Sequence, residues 1–420
     1  MNFNRVQKRR AKTDRPAAGG CGTVNLLTAL SLLLLVGCQA HLEPAPPPPP
    51  LTRLAVTEYP TFRDDLDFAR LSEAISRSLA YYRRLPPERL IPFGLDAYRV
   101  DHLIRSLTAF SDLIAGRPDG ETLNRTIRQK YVVYRAAGRE TDSRVLYTGY
   151  YEPVLSGSPV QHRDYPVPVL SRPSDLLEID LSLFAPDLKG RRIIGRYRNG
   201  TVVPYPDRGQ IRRQGDRVTS VAAPIAWLRD EIDLLILQIQ GSGRIAFADG
   251  RTLCVRYNGS NGRPYRSIGK VLIDQGHLTA EAVSMQSIRE FLRRNPEKCE
   301  AILDENPRYI FFRLSEGGPF GALNEPLTAL RSIAVDPQCF PAGALAFAQL
   351  STPQVDGQGR ITSWRKHNGF VLAQDSGSAI RGTGRADLFW GGGLSAETAA
   401  GHLKHPGELF FIVLQNATSG

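Results

Sequence analysis

The stretch that decides how this chain is read is Ala373-Gln374-Asp375-Ser376-Gly377-Ser378-Ala379-Ile380-Arg381-Gly382, with Ala386-Asp387-Leu388-Phe389 close behind it. An apolar run, Phe370-Val371-Leu372-Ala373, delivers an acid into a turn of small residues. A second acid follows twelve positions later, in front of another apolar step. An Asp at the mouth of a strand, flanked by Gly and Ser, lets a bulky substrate come close. An apolar wall beside it would raise its pKa toward that of a working acid. Asp-Ser-Gly is equally ordinary turn chemistry, and these residues alone do not separate the two readings.

Working outward, 420 residues suffice for two domains or one large composite domain. The formal charge is +11, but residues 1–37 hold six basic residues (Arg5, Lys8, Arg9, Arg10, Lys12, Arg15) and one acid, Asp14. That leaves +6 for the rest. A moderate basic excess suits an acidic polymer or an anionic surface. No long block of like charge and no basic stripe with interleaved aromatics is present, which argues against nucleic acid as a partner.

The N-terminus reads as a targeting segment. A basic region to Arg15 is followed by the apolar run Leu26–Leu35, too short to span a bilayer comfortably. It ends in Leu35-Val36-Gly37-Cys38, which resembles a bacterial lipobox. That resemblance implies a signal peptide over 1–37, cleavage before Cys38 and acylation of its sulfur and new amino group. Several acyl chains anchor stably where one does not. Gln39 after the Cys, where lipoproteins of the inner membrane commonly have Asp, favours the outer membrane, periplasmic face. Residues 38–60, with Pro46–Pro50 in a row, are expected to form a semi-rigid tether of ~3.1 Å per residue. Cys254, Cys299 and Cys339 remain; one disulfide or three thiols both fit.

Two helices are expected next, from the spacing of Leu71, Ile75, Leu79 and Tyr82 and of Val100, Leu103, Leu107, Phe110 and Ile114, with Gly116 as a stop. From Val145 the texture becomes β. Strands are expected at 167–170, 192–197, 201–203 and 232–240, and a hairpin at 245–257 turning on Asp249-Gly250. A helix over about 280–294, ending near Pro296, leads into a second β-rich region from Tyr309 to Leu414. The order suggests a mainly β fold with flanking helices: one domain interrupted by a β insertion, or two successive β-rich domains.

Gly241-Ser242-Gly243-Arg244-Ile245-Ala246 meets the loose pattern G-x-G-x-x-A, but a dinucleotide site needs a helix next and a hairpin follows. What survives is a strand ending in Gln238, Gln240 and Ser242, its amides and hydroxyl suited to sugar hydroxyls and acetamides or simply facing solvent. Thr148-Gly149-Tyr150-Tyr151-Glu152-Pro153 offers a stacking platform for pyranose rings, or the rim of a sheet. Asn261-Gly262-Arg263-Pro264-Tyr265 is a polar loop of the same kind. No G-x-S-x-G elbow, P-loop or Cys-x-x-Cys pair occurs, and His402 and His405 sit at a helix end rather than in a zinc pattern. No metal and no cofactor is expected. The carboxylates in promising turns are Asp336, Asp375 and Asp387, and carboxylates without a metal or nucleophile motif point to glycoside chemistry.

At this point the motifs carry a resemblance. Thr148–Pro153, Leu237–Gly243, Asn261–Gly269, Phe311-Phe312-Arg313, Arg331–Pro337 and Asp375–Gly382, in that order over residues 60–415, resemble the membrane-bound lytic murein transglycosylase A family. The last third is similar to a three-aspartate domain, whose acids would fall on Asp336, Asp375 and Asp387. The resemblance implies a double-psi β-barrel (61–152 plus 305–420), an inserted second β-domain (153–304) and a glycan groove between them. It also implies cleavage of the β-1,4 bond after N-acetylmuramic acid in peptidoglycan, leaving a 1,6-anhydro ring. Asp375 matches the catalytic acid. Asp387 and Asp336 would support it, and Thr148, Tyr150, Gln240, Ser242, Tyr265, Ser376 and Gly377 would bind substrate. Ser378 departs from the pattern, where Gly is more frequent. The expected partners are peptidoglycan strands, outer-membrane lipid through Cys38, and murein-synthesis or division complexes. Two other readings stay open: a hydrolytic glycosidase with Asp387 as its second carboxylate, and a non-catalytic peptidoglycan-binding lipoprotein.

Overall fold

A computed structural model describes residues 49–139 and 144–416. The lipobox and Cys38 lie outside the described residues.

Six strands close into a barrel: Lys404–Leu414, Leu345–Val355, Ile361–Asp375, Ser332–Ala334, Arg385–Gly392 and Val145–Glu152, which returns to Lys404–Leu414. Two of the six pairings are parallel, Ser332–Ala334 with Ile361–Asp375 and Arg385–Gly392 with Val145–Glu152; the others are antiparallel. This is the double-psi barrel that the motifs implied. Closure removes the sheet edges between these strands. Tyr131–Ala136 adds to the outside of Lys404–Leu414, and Leu51–Arg53 pairs with it in turn. The fold therefore takes up the chain at Leu51, inside the segment 38–60 expected as tether. The reason is in the sequence: Leu51, Leu54 and Tyr59 are apolar and buried.

The helices Leu71–Arg83 and Val100–Ala115 form where the apolar spacing placed them, and each buries its stripe against the barrel. Phe110 meets Phe370 at 4.9 Å between ring centroids, and Phe62 meets Phe347 at 5.0 Å. Phe370 lies on the strand that ends in Asp375, and Phe347 pairs with it from the neighbouring strand. A third helix, Gly120–Lys130, is capped by Asp119, whose side chain accepts from Thr122 N–H at 2.7 Å.

The inserted domain has its own core. Its six-stranded sheet runs Ile310–Ser315, Thr252–Ser260, Ser242–Phe247, Val154–Ser158, Pro224–Leu228, Val167–Leu170, with a bridge from Ser171 to Phe312 drawing the two ends together. Leu177–Asp180, Arg192–Arg198 and Thr201–Pro204 form a small separate sheet. Ile310–Ser315 pairs with Thr252–Ser260, so this piece of the 305–420 segment expected for the barrel lies in the inserted sheet.

Two further expectations need correction. Residues 232–240, expected as a strand, are a helix, Glu231–Gln240. The run is buried nearly all round, so it has no period to distinguish the two; the Asp230 cap, accepting from Asp233 N–H at 2.8 Å, decides it. Gln238 and Gln240 therefore sit on a helix end, not a strand end. The helix expected over 280–294 starts only at Met285, capped by Ser284, and ends at Arg294. Pro296 then opens another helix, Pro296–Asp304, at the first-turn position where its missing N–H costs nothing. Cys254, Cys299 and Cys339 are all free thiols.

Candidate active site

Register assembles the site. Thr148 pairs with Asp387, Asp387 with Ala334, and Ala334 with Asp375, so one cross-strand row holds a hydroxyl and two acids. The register shifts by one residue after Ile333, which faces Ala373 while Ala334 faces Asp375. Such a shift re-aims a side chain at a barrel rim. Here it brings Asp375 into the row and leaves Gln374 inward. Gln374 is fully buried; its Nε2 donates to Ala74 O at 2.7 Å and to Ser78 Oγ at 3.0 Å, and its Oε1 accepts from Ser332 Oγ at 2.6 Å. The helix Leu71–Arg83 thus grips the strand one residue before the acid.

Asp375 is half-buried. Its Oδ2 accepts from Tyr150 Oη at 2.9 Å, and its Oδ1 accepts from the backbone N–H groups of Ala322 (2.9 Å) and Ser376 (2.8 Å). Burial pushes its pKa up to about 6 and Asp387's charge adds to the rise, against the lowering effect of those donors. Tyr150 packs its ring at 5.2 Å from that of Phe389, and burial with the neighbouring acids holds its hydroxyl protonated. The donor Ala322 comes from a loop that must pass very close: a Cβ on Gly321 would stand 2.4 Å from Gln374 O. Only glycine fits there.

The other two acids are engaged differently. Asp387 Oδ1 accepts from Thr148 Oγ1, which in turn accepts from Arg385 Nη2 at 3.1 Å. Burial raises the Asp387 pKa, partly offset by Thr148 and Arg385. Asp336 is buried and ties down the turn after Asp375. It accepts from Gln338 N–H at 3.0 Å and Gly382 N–H at 2.8 Å, and Arg381 stands 3.8 Å from it. Both acids thus order neighbouring groups, while Asp375 alone presents a raised carboxyl at the turn.

Of the sugar-binding candidates, Thr148, Tyr150, Ser376 and Gly377 lie at or beside the acid. Gln240 points to the junction with the barrel, its Oε1 accepting from Tyr151 N–H at 3.0 Å. Ser242 opens a strand of the inserted sheet. Tyr265 is half-buried in the loop before the helix Ile268–Asp274. Gln238 is committed internally, to Ile310 O at 3.1 Å and to Arg208. Ala322 and Phe389 were missed. Phe389 stood in the quoted stretch, but Ala322 acts through its backbone and has only Gly317-Gly318-Pro319 as a loop signal.

A barrel rim that presents a raised carboxyl among backbone and phenol donors has the geometry of a general acid–base enzyme. The comparisons make this specific. Residues 146–313 match the family described as the MltA specific insert domain, and residues 331–413 match the 3D domain. The membrane-bound lytic murein transglycosylase A of Escherichia coli (strain K12) is 28% identical over 303 residues, covering 70% of this chain and 73% of that protein. The Vibrio cholerae protein of the same name is 28% identical over 285 residues, covering 67% and 68%. Among solved structures, the lytic transglycosylase LtgG of Burkholderia pseudomallei is 32% identical, covers 89% of this chain and 99% of that one, and superposes with a TM-score of 0.51. The membrane-bound lytic murein transglycosylase of Agrobacterium tumefaciens is 25% identical, covers 87% and 97%, and gives 0.68. This chain belongs to the membrane-bound lytic murein transglycosylase A family.

Proposed function

We propose that this protein is a peptidoglycan lytic transglycosylase. It cleaves the β-1,4 bond between N-acetylmuramic acid and N-acetylglucosamine, with Asp375 as its single acid and base. The observation that carries this is the raised carboxyl of Asp375, set among three donors while Asp387 and Asp336 are engaged elsewhere. Protonated Asp375 donates to the glycosidic oxygen as the C1–O4 bond breaks. The C6 hydroxyl of the same muramyl ring closes on C1, and the Asp375 carboxylate takes its proton. The acid is regenerated and no water is consumed. A hydrolase needs a second carboxyl to activate water or attack C1; here the nucleophile is already tethered, and proximity replaces it. The glycan strand lies in the cleft between the barrel and an inserted domain that we place at about residues 153–315, where the inserted sheet ends.

Digestion of purified sacculi is expected to release products one water lighter than hydrolytic ends. Asp375→Asn should lower turnover about 10³-fold, within the range of general acid catalysis, while keeping glycan binding. Hydrolytic product masses, or turnover near wild type in the variant, would reject the assignment.

The relatives are named membrane-bound, and no helix among the described residues is long and apolar enough to cross a membrane. We place this protein at the periplasmic face of the outer membrane, anchored by lipid on Cys38. Cys38→Ser should abolish acylation and release the protein to the soluble fraction; membrane retention of the unacylated variant would overturn the anchor.

A further inference from the structure

Arg256 and Arg313 stand directly opposite one another on neighbouring antiparallel strands of the inserted sheet, with Ser242 next to Arg256 in the same row. Like charges in that position repel, because directly opposed side chains leave the sheet only about 5 Å apart. Neither guanidinium has a carboxylate within 4.0 Å among the described residues, whereas Arg244 on the strand beside Arg256 pairs with Glu152 at 3.0 Å. Arg256 is held in place: its guanidinium lies 4.5 Å above the Phe320 ring, and Nη1 donates to Asn324 Oδ1 at 2.7 Å. Its Nε is buried and without a hydrogen-bond partner. Phe320 and Asn324 flank Ala322, whose N–H donates to Asp375. The pair therefore borders the acid's own loop. Burial and the charge of Arg313 both act to lower the Arg256 pKa, as expected of a cation with no anion beside it.

Two adjacent guanidiniums kept unpaired beside an active site are a cradle for an anion. If the reading above is right and the substrate is a murein strand, its N-acetylated sugars are neutral. The anionic group is a carboxylate on the lactyl arm of the muramyl residue, free in a stripped strand or carried by the attached peptide. We propose that Arg256 and Arg313 form a subsite for that carboxylate, positioning the muramyl residue so that its glycosidic oxygen faces Asp375.

The full-length protein in detergent would be assayed on three ligands: peptide-bearing glycan, glycan stripped of peptides by an amidase, and neutral chitohexaose. Arg313→Gln is the decisive variant, because Arg313 is exposed and its side chain holds no other element in place. It should raise the apparent KM about fivefold on a carboxylate-bearing glycan, the scale of a solvent-exposed ion pair, with kcat retained. Added salt should remove the difference. The Kd for chitohexaose should stay at the wild-type value. Arg256→Gln should show the same KM effect, with a further loss of kcat if its grip on the Ala322 loop matters. An effect confined to peptide-bearing glycan supports the peptide carboxylate as ligand; one confined to stripped glycan supports the lactyl carboxylate; an effect on both supports a shared site. An unchanged KM on both glycans, or equal weakening of chitohexaose, overturns the subsite. The underlying reading fails separately, if wild type releases no anhydro ends at all.

Discussion

Arg331 in the barrel and Arg208 in the inserted domain are both fully enclosed, but only Arg331 is met by a carboxylate. Arg331 meets Asp64 through two N–H···O contacts of 2.6 and 2.8 Å, and donates also to Ala69 O and Phe370 O. Arg208 has no carboxylate within ion-pair distance among the described residues. It donates to the carbonyls of Asn306 and Arg308 and to Gln238, and its Nη1 has no partner. Burial pulls its pKa down. The same contrast recurs around the Asp375 turn. The barrel's acids Asp336 and Asp387 are engaged within the barrel, whereas Arg256 and Arg313 of the inserted sheet face no acid. The barrel closes its charge network on itself and leaves one carboxyl for chemistry. The inserted domain keeps cationic capacity in reserve, as a surface that receives a substrate would.

The comparison breaks most sharply on a pair of substitutions. Arg331→Met strands Asp64 without its counter-charge in the core, and losing one partner of a buried pair costs about 3–5 kcal/mol. Arg208→Met breaks no ion pair within 4.0 Å among the described residues and should cost about 1–3 kcal/mol, the scale of unmet buried acceptors. Urea melts of both at pH 7 check this; equal losses would erase the distinction. Acid sharpens it. Burial raises the Asp64 carboxyl, but the Arg331 hydrogen bonds and charge overcome that and hold it below the usual range. Its contribution is present above the unfolded pKa and fades as pH falls through the folded one. The gap between wild type and Arg331→Met should therefore close in acid.

A smaller effect of opposite sign is expected at Asp375. Its folded pKa of about 6 lies above the ordinary value of 3.8. The proton it holds in the fold favours folding below about pH 4, and that contribution is lost as pH rises through about 6. Asp375→Asn should therefore be more stable than wild type at pH 8 by about 1–3 kcal/mol and match it at pH 4. A variant no more stable at pH 8 would mean that the acid is ionised there without cost, and that the barrel's one spare carboxyl is not held under strain.

Asp375 and its turn were legible because their signals are local: an apolar run, an acid, then small residues. The two helices on the barrel were legible because their burial is one-sided and so leaves a period in the sequence. The row Thr148–Asp387–Ala334–Asp375 was not legible as geometry. It depends on pairings between distant segments and on a one-residue register shift beside Gln374. The donor Ala322 works through its backbone, so its side chain carries no trace of the role. The segment 231–240 failed for the opposite reason to the barrel helices: an element buried on every side has no period, and only the Asp230 cap marked it.

That misread segment supplies the gentlest test, because helix and strand predict opposite signs at its end. Gly241 follows the helix Glu231–Gln240 with φ +77°, and its N–H donates to Leu237 O at 2.9 Å. A Cβ placed there would meet nothing within 4 Å, so sterics with neighbours play no part. In the left-handed conformation an alanine costs about 1 kcal/mol. Were the chain extended here, alanine would instead reduce unfolded-state entropy and stabilise by several tenths of a kcal/mol. Gly241→Ala should therefore lower stability by about 1 kcal/mol in urea melts of the whole protein, through a strain confined to the inserted domain. The pH at which Asp375 titrates should not move, since the helix end touches the barrel through Gln240 and the backbone of Tyr151 rather than through the acid. A shift in the activity–pH profile with Gly241→Ala would show that strain in the inserted domain reaches the barrel's carboxyl, and the two regions would then have to be treated as one electrostatic unit.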